Sequence, residues 1–331
     1  MTSAGVGVPM RVLVTGAGGP AAIAVMRSLS QDPEVRLLAA DMDAWAAGLY
    51  LVAPEDRTLI PAGAAAGFAH VLLERCRQLR ASVVIPTVDA ELRPLAAARP
   101  AFAAAGIELL LPPEQALHTI LDKLTLARHC ADTVRVPRTE QFLPGLDPGG
   151  WSYPVVVKPR TGSGSRDIRV LSSAAELDAA ERSGDLLVQE YLPGDEYSID
   201  VFASRPGEVV AAVPRLRAKV DSGISVAGRT VRDPELEEFG AAVARVTGLQ
   251  FIANVQAKRD RAGCPALLEV NPRAPGSLAL TIASGVDMPR LAMDVLAGHP
   301  VPGHIGFREV AMVRFLDERV VGVDEIKALA A

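Results

Sequence analysis

FIANVQAKRDRAGCPALLEVNPR, residues Phe251–Arg273, is the stretch on which the reading of this chain turns. Its halves, Phe251–Arg259 and Pro265–Arg273, are runs of apolar and β-branched residues. Asp260-Arg261-Ala262-Gly263 between them supplies turn chemistry, so the stretch predicts an antiparallel hairpin. Strand side chains alternate between faces. Asn254, Gln256 and Lys258 then share one face of the first strand, and Glu269 and Asn271 one face of the second, with Leu268 and Val270 turned into a core. A carboxylate facing carboxamides offers the oxygen donors that hard cations such as Mg²⁺ take together with phosphate. Arg273 at the strand end adds a planar fork for an oxyanion beside the metal. A half-solvated strand carries polar residues on one face with no function attached. The weight therefore falls on the joint pattern Gln…Glu-x-Asn-x-Arg and on what precedes it.

With 331 residues the chain is long enough for about two domains and a real core. Its formal net charge of −5 argues against a general nucleic-acid binder and a basic membrane-surface protein, so a polyphosphate ligand needs local basic residues. Cys76, Cys130 and Cys264 lie far apart, which fits a reducing cytoplasm and neither a zinc site nor a disulfide framework; buried structural thiols are expected. The alanine-rich stretch Pro94–Leu111 is broken by Arg99, Pro100 and Glu108 and is no membrane span. MTSAGVGVP at the start lacks the charged and apolar regions of a signal peptide and reads as a loose tail.

At the front, the strand Arg11–Thr15 runs through Gly16-Ala17-Gly18-Gly19-Pro20 into a helix, Ala21–Ser30, and a second strand, Val35–Ala40, ends in Asp41. This βαβ unit approaches the dinucleotide fingerprint, but Ala21 stands where the third glycine belongs and the acidic residue comes late. NAD binding and a merely supporting Rossmann-like layer both stay open. After the helix Phe68–Arg80, the strand Ser82–Pro86 leads to Thr87, Asp89 and Glu91. Open α/β sheets bind ligands off the carboxyl ends of their strands, so Asp89 and Glu91 could hold a substrate ammonium. They could equally be ordinary first-turn charge of a helix.

A helical region, Glu114–Ala131, carries Asp122-Lys123. Further on, the strand Tyr153–Lys158 precedes Thr161-Gly162-Ser163-Gly164-Ser165 and another strand, Ile168–Leu171. Small residues let backbone amides approach phosphate oxygens, and Lys158 adds a point charge. The order is not that of a Walker A loop, since the lysine precedes the glycines. A helix over Ser173–Arg182 and strands over Leu186–Glu190, Glu196–Phe202 and Glu208–Val220 follow. Arg215, Arg217 and Lys219 alternate onto one face of the last of these, a wall for a carboxylate or γ-phosphate, or simply a solvated face. Pro234–Thr247 is an amphipathic helix leading into the hairpin; Ser277–Ser284 and Pro289–Ala297 read as helices and Glu309–Phe315 as a last edge strand.

Taken in order, from Arg11 to Phe315, these features resemble the ATP-grasp superfamily, in particular the carbamoyl phosphate synthase large-subunit type and single-unit amino-acid ligases. The resemblance implies an α/β chain: a Rossmann-like pre-ATP-grasp domain, residues 10–112, then an ATP-grasp domain of two α+β subdomains, 113–187 with a phosphate flap and 188–331 with a metal-binding hairpin. It implies ATP-phosphate binding by Lys123 and Lys158, with Gly162, Ser163, Gly164 and Ser165 as flap. Glu190 and Leu192 match the linker at the adenine edge, and Glu196 the carboxylate on the ribose hydroxyls. Gln256, Glu269 and Asn271 match ligands of two Mg²⁺ ions, for which Mn²⁺ could substitute, and Arg273 matches the arginine that steadies an acyl-phosphate or tetrahedral intermediate. The chain departs from carbamoyl phosphate synthase in carrying one copy of the unit instead of two. After Asn271-Pro272-Arg273 it reads Ala274-Pro275-Gly276-Ser277, so carboxylate specificity does not transfer.

The activity implied is ATP-dependent ligation of a carboxylate to an amine through an acyl phosphate, in the cytoplasm. Asp89 and Glu91 are the candidates for an amino group, Arg215 and Arg217 for a carboxylate. The expected partners are small-molecule substrates, with a homodimer as one open assembly, and neither nucleic acid nor membrane. Rival readings are a bicarbonate- or carbamate-phosphorylating enzyme, an NAD-dependent oxidoreductase using Gly16–Gly19, and a non-catalytic nucleotide-binding subunit.

Overall fold

Short apolar runs separated by glycine turns build the front layer. Here β1 (Met10–Val14), α1 (Pro20–Leu29), β2 (Val35–Asp41), β3 (Arg57–Leu59), α2 (Phe68–Gln78), β4 (Val83–Ile85), α3 (Asp89–Ala104) and β5 (Glu108–Leu109) form a parallel sheet with covering helices. The computed structural model describes residues 9–162, 167–221 and 224–330, with nothing of the side chain of residue 224. The strand order is β3-β2-β1-β4-β5. From β1 successive strands are added first on one side and then on the other, so a crevice opens beyond the carboxyl ends of the adjacent β1 and β4. Gly16–Gly19 and Thr87–Asp89 lie there.

The expected single helix over Glu114–Ala131 is two, α4 (Glu114–Ile120) and α5 (Lys123–Cys130). Asp122 breaks it: its carboxylate accepts from the amides of Leu124 and Thr125 and caps α5, which satisfies orphan donors that a continuous helix would pair internally. The cap places Lys123 at the first turn of α5. A second, antiparallel sheet follows, built from β6 (Thr139–Gln141), β7 (Val155–Pro159), β8 (Arg169–Leu171) and, after the short α6 (Ala174–Ala179), β9 (Leu186–Glu190), in the order β6-β9-β7-β8. Because β9 belongs wholly to this sheet, we place the proposed subdomain boundary after Glu190 instead of after residue 187.

The third sheet is the largest. It takes β10 (Glu196–Arg205), β11 (Glu208–Asp221), β12 (Ile224–Thr230), then, past α7 (Pro234–Thr247), β13 (Phe251–Arg259) and β14 (Pro265–Asn271), and, past α8 (Leu278–Ala283) and α9 (Met288–Ala297), the edge strand β15 (Ala311–Val313). The order is β14-β13-β10-β11-β12-β15, and α10 (Val323–Ala330) follows. Sequence analysis assigned no element to β3, β6, β12 or α10. Asp233 caps α7, Pro234 opens it and Gly248 in the left-handed region (φ 65°) closes it, all legible signals. Leu236, Val243 and Ala244 of α7 pack on Ile199, Val201 and Val255 of the sheet. At Gly240 the helix comes so close that a Cβ would stand 2.5 Å from the Ile199 side chain.

A single core cluster joins front layer and large sheet: Val12, Ala22, Val25 and Met26 meet Phe202, Ile252, Leu278, Met288 and Ala292. Full burial of an aliphatic side chain such as Val25 contributes about 1.5–3 kcal/mol, so this seam holds the crevice at a fixed distance from the hairpin. Ser28 donating to Asp287 (2.6 Å) and Arg290 paired with Asp32 (3.5 Å) reinforce it.

Candidate active site

In the hairpin, Asn254 pairs with Asn271 and Gln256 with Glu269. The four polar side chains stand on the face turned to the crevice, and all line a cavity of about 280 Å³. The register shifts between Gln256 and Ala257, whose partner is Leu267. That β-bulge corrects one expectation: Leu267 and Val270 enter the core, and Leu268 is the extra, half-buried residue. Cys264, expected to be buried, is exposed in the turn; Cys76 and Cys130 are buried, and burial pushes their thiols up to about 12 and about 11.

Two lysines reach this face from different elements. Lys123, at the start of α5, approaches Glu269 at 3.4 Å and donates to the Gly162 carbonyl at 2.6 Å. Its position is fixed from both sides, since its amide donates to the Arg160 carbonyl (3.1 Å) and Arg160 pairs with the capping Asp122 (2.6 Å). Lys158, on β7, is 6% exposed, and burial lowers its pKa to about 8 against the pull of Glu269 and Glu196 and with the push of Lys123. Among the described residues Lys158 forms no ion pair. Glu196 is engaged by Arg217, and its strand neighbours Ser198 and Asp200 continue the same face of β10.

Asp200 is the hub that sequence reasoning missed. It is fully buried; one oxygen accepts from Arg215 (2.5 Å) and Asn254 (2.8 Å), the other from Thr281 (2.5 Å). Alternation along Glu196–Phe202 was the signal available, because Glu196, Ser198 and Asp200 must share a face. Arg314 was missed as well. It donates to the carbonyls of Ser225 (3.1 Å) and Gly276, and burial and Arg215 lower its pKa. Nothing in its local sequence marks it, since a short edge strand carries little pattern.

Several candidates stand apart or already have partners. Asp89 holds Arg273 in a two-point pair (2.7 and 2.6 Å), so at the cleft it presents an oriented guanidinium more than a free carboxylate. Glu91 does not line this cavity. It is buried in the first turn of α3, accepts from Thr15 at 2.5 Å, and its carboxyl is raised to about 7 mainly by desolvation. Arg215 is spoken for by Asp200, while Lys219, past a register shift, is exposed and leaves the face of Arg215 and Arg217. The Glu190 carboxylate is clamped by Arg135 (2.7 and 2.9 Å) and the Arg138 amide (3.0 Å), and Leu192 is buried. Gly162 lies beside Lys123; Ser163, Gly164 and Ser165 fall outside the described residues.

The donor set fits Mg²⁺ bound with phosphate: one carboxylate, Glu269, and the carboxamides of Asn271 and Gln256 offer oxygens, and Mg²⁺ commonly takes one or two carboxylates with substrate phosphates supplying the rest. Among the described residues no three His, Cys, Asp or Glu side chains converge as a metal site. Phosphate oxygens would complete such a site, and the lysine pair opposite would offer them positive charge.

Residues 182–318 match the family model described as ATP-grasp in the biosynthetic pathway with Ter operon, and residues 12–110 match the PylC-like N-terminal domain. A D-alanine–D-alanine ligase of Anaeromyxobacter dehalogenans is 30% identical over 189 residues, 51% of this chain and 61% of that protein. The match to the first curated relatives spans about a third of their length, 34%. Among solved structures, the biotin carboxylase domain of Hydrogenobacter thermophilus 2-oxoglutarate carboxylase, in complex with MgADP, ADP and bicarbonate, superposes with a TM-score of 0.71 at 18% identity, covering 88% of this chain and 70% of that one. An L-amino acid ligase from Bacillus licheniformis gives 0.65 at 15% identity, covering 87% and 74%. No helix is long and apolar enough to cross a membrane among the described residues.

Proposed function

We propose that this chain, an ATP-grasp protein by fold and by the family model over residues 182–318, ligates a carboxylate to an amine at the cost of ATP. The observation that carries the reading is the convergence of Lys123 and Lys158 on Glu269. Two cations for one carboxylate, one of them buried, make a site short of negative charge. A triphosphate with its metal supplies what is missing.

In the first step a substrate carboxylate oxygen bonds to the γ-phosphorus while the bond from that phosphorus to the bridging oxygen breaks, giving acyl phosphate and ADP. An amine then forms the C–N bond, phosphate leaves with the acyl oxygen, and the nitrogen loses a proton. This chain contributes placement and charge. Lys158 and Lys123 hold phosphate oxygens, and Gly162 adds the start of the flap, continued by Ser163, Gly164 and Ser165. Glu196 is set for the ribose hydroxyls, and Glu190 and Leu192 lie at the adenine edge, with the Glu190 side chain reserved for Arg135. Glu269, Asn271 and Gln256 would hold the metal. Mg²⁺ bound there would supply charge that neutralises the transferring phosphoryl group. Arg273, aimed by Asp89, faces the developing oxyanion, and Arg215 and Arg217 wall the acid side.

The test is ADP release with Mg-ATP and a panel of carboxylates, bicarbonate included, with hydroxylamine as a general trap. Carboxylate-dependent ADP together with hydroxamate is expected. Glu269→Ala should lower the rate by on the order of 10²–10³ with the fold intact by circular dichroism. ADP release with bicarbonate alone would instead favour the carbamoyl phosphate synthase-like chemistry. No carboxylate-dependent ADP at all would overturn the proposal.

A further inference from the structure

Along the acid side of the cleft stand Arg273, Arg217, Arg215 and Arg314, and the first three have carboxylates of their own. Asp89 holds Arg273, Glu196 holds Arg217 and Asp200 holds Arg215. Among the described residues no carboxylate pairs with Arg314, whose guanidinium donates to the carbonyls of Ser225 (3.1 Å) and Gly276. Both of those residues line the cavity that also contains Glu269 and Arg273, so Arg314 stands at its mouth. The register puts it on the cleft face. Arg217 pairs with Gly228 and Gly228 with Met312, and Arg314 is two residues beyond Met312. Gly228 has no side chain to fill the gap between the rows.

Arg215 lies deeper. It is 2% exposed and lines the same cavity, and one terminal nitrogen reaches Asp200, yet its Nε–H has no acceptor among the described residues. A buried donor left unpaired costs about 1–3 kcal/mol. The two guanidiniums also feel one another: burial lowers the Arg314 pKa and the charge of Arg215 lowers it further. One anion relieves both the idle donor and the surplus cation, and a guanidinium fork matches a planar carboxylate.

We infer that the acid substrate is a dicarboxylic acid, with one carboxylate reacting beside Arg273 and Glu269 and the other held between Arg215 and Arg314. The inference deepens the ligase reading and rests on it for the role of the first carboxylate. Strand order keeps the two ends apart. Arg215 is on β11, three strands from Glu269 on β14, about 14 Å at the usual spacing, which is room for two acid groups of one small molecule. Charge fixes the number of extra groups at one, since Arg314 is the one arginine of this wall without a carboxylate among the described residues.

The test is isothermal titration without nucleotide, pairing acids of equal length: succinate with butanoate, glutarate with pentanoate, adipate with hexanoate. The best dicarboxylate should bind at least about tenfold more tightly than its monocarboxylate partner. Arg314→Ala, and Arg314→Gln as a second variant, should bring that acid down to the level of its partner, with circular dichroism unchanged. Equal binding within every pair, no binding at millimolar acid, or a dicarboxylate preference that survives both Arg314 variants would each overturn the inference. The comparison of acids needs no variant, and the titration contains no ATP. A lack of carboxylate-dependent ADP therefore sinks the ligase reading alone, and equal binding within the pairs sinks the dicarboxylate alone.

Discussion

Two clusters of charge share one face of the large sheet and are built in opposite ways. Around Asp200 the account is nearly closed: Arg215, Asn254 and Thr281 all donate to it, and everything is buried. Around Glu269 it is open. Lys123 and Lys158 face a single carboxylate, and Lys158 pays for burial with a pKa lowered to about 8. A closed network orders the strands that carry it. An open one sits at a stability cost, which makes physical sense where an anion is to arrive.

Substitutions in the two clusters should therefore part company. Asp200→Ala strands the Arg215 guanidinium in the interior and should cost about 3–5 kcal/mol, read as a lowered urea midpoint. Lys158→Ala should leave that midpoint unchanged or raise it, while carboxylate-dependent ADP release falls by on the order of 10²–10³, about 3–4 kcal/mol in barrier. If Lys158→Ala unfolds the protein and Asp200→Ala does not, the contrast is backwards.

Glu91 sharpens the same contrast on the other side of the crevice. Its folded pKa of about 7 lies above the ordinary carboxylate value of 4.5, so the folded chain holds the proton more tightly than the unfolded one. Its contribution to stability is full below about 4.5, falls as pH rises toward about 7, and amounts to roughly 3 kcal/mol. Chemical denaturation across that range should show the decline, and Glu91→Gln should flatten it. The smallest effect belongs to Arg135→Ala. Its pair with Glu190 is about a third exposed on both sides, so removal should shift the urea midpoint by no more than about 1 kcal/mol.

The hairpin was legible because its polar residues recur with period two and its turn residues are unambiguous; alternation alone put Glu269 and Asn271 together. It could not show the bulge, which moved Leu268 out of the core, because a register shift depends on the partner strand. The break at Asp122 was written in the sequence as a capping residue, yet an unbroken apolar period on both sides hid it. What was least legible is pairing between distant residues. That Asp89 would be taken by Arg273, 184 positions away, and Glu190 by Arg135 follows from the packing of separate sheets, which no local pattern encodes. Short strands such as β3 and β6, of three residues each, are too brief for a period to form.

The tie between Lys123 and the Gly162 carbonyl has a thermodynamic corollary. The ammonium has three N–H donors, and the one given to the Gly162 carbonyl is withheld from an incoming phosphate. Whatever ligand claims it loosens that anchor, and whatever tightens the anchor weakens the ligand by the same factor. Occupancy of the proposed nucleotide site and the Lys123–Gly162 bond are then a single equilibrium seen from two ends, and amide exchange at Gly162 should track nucleotide concentration.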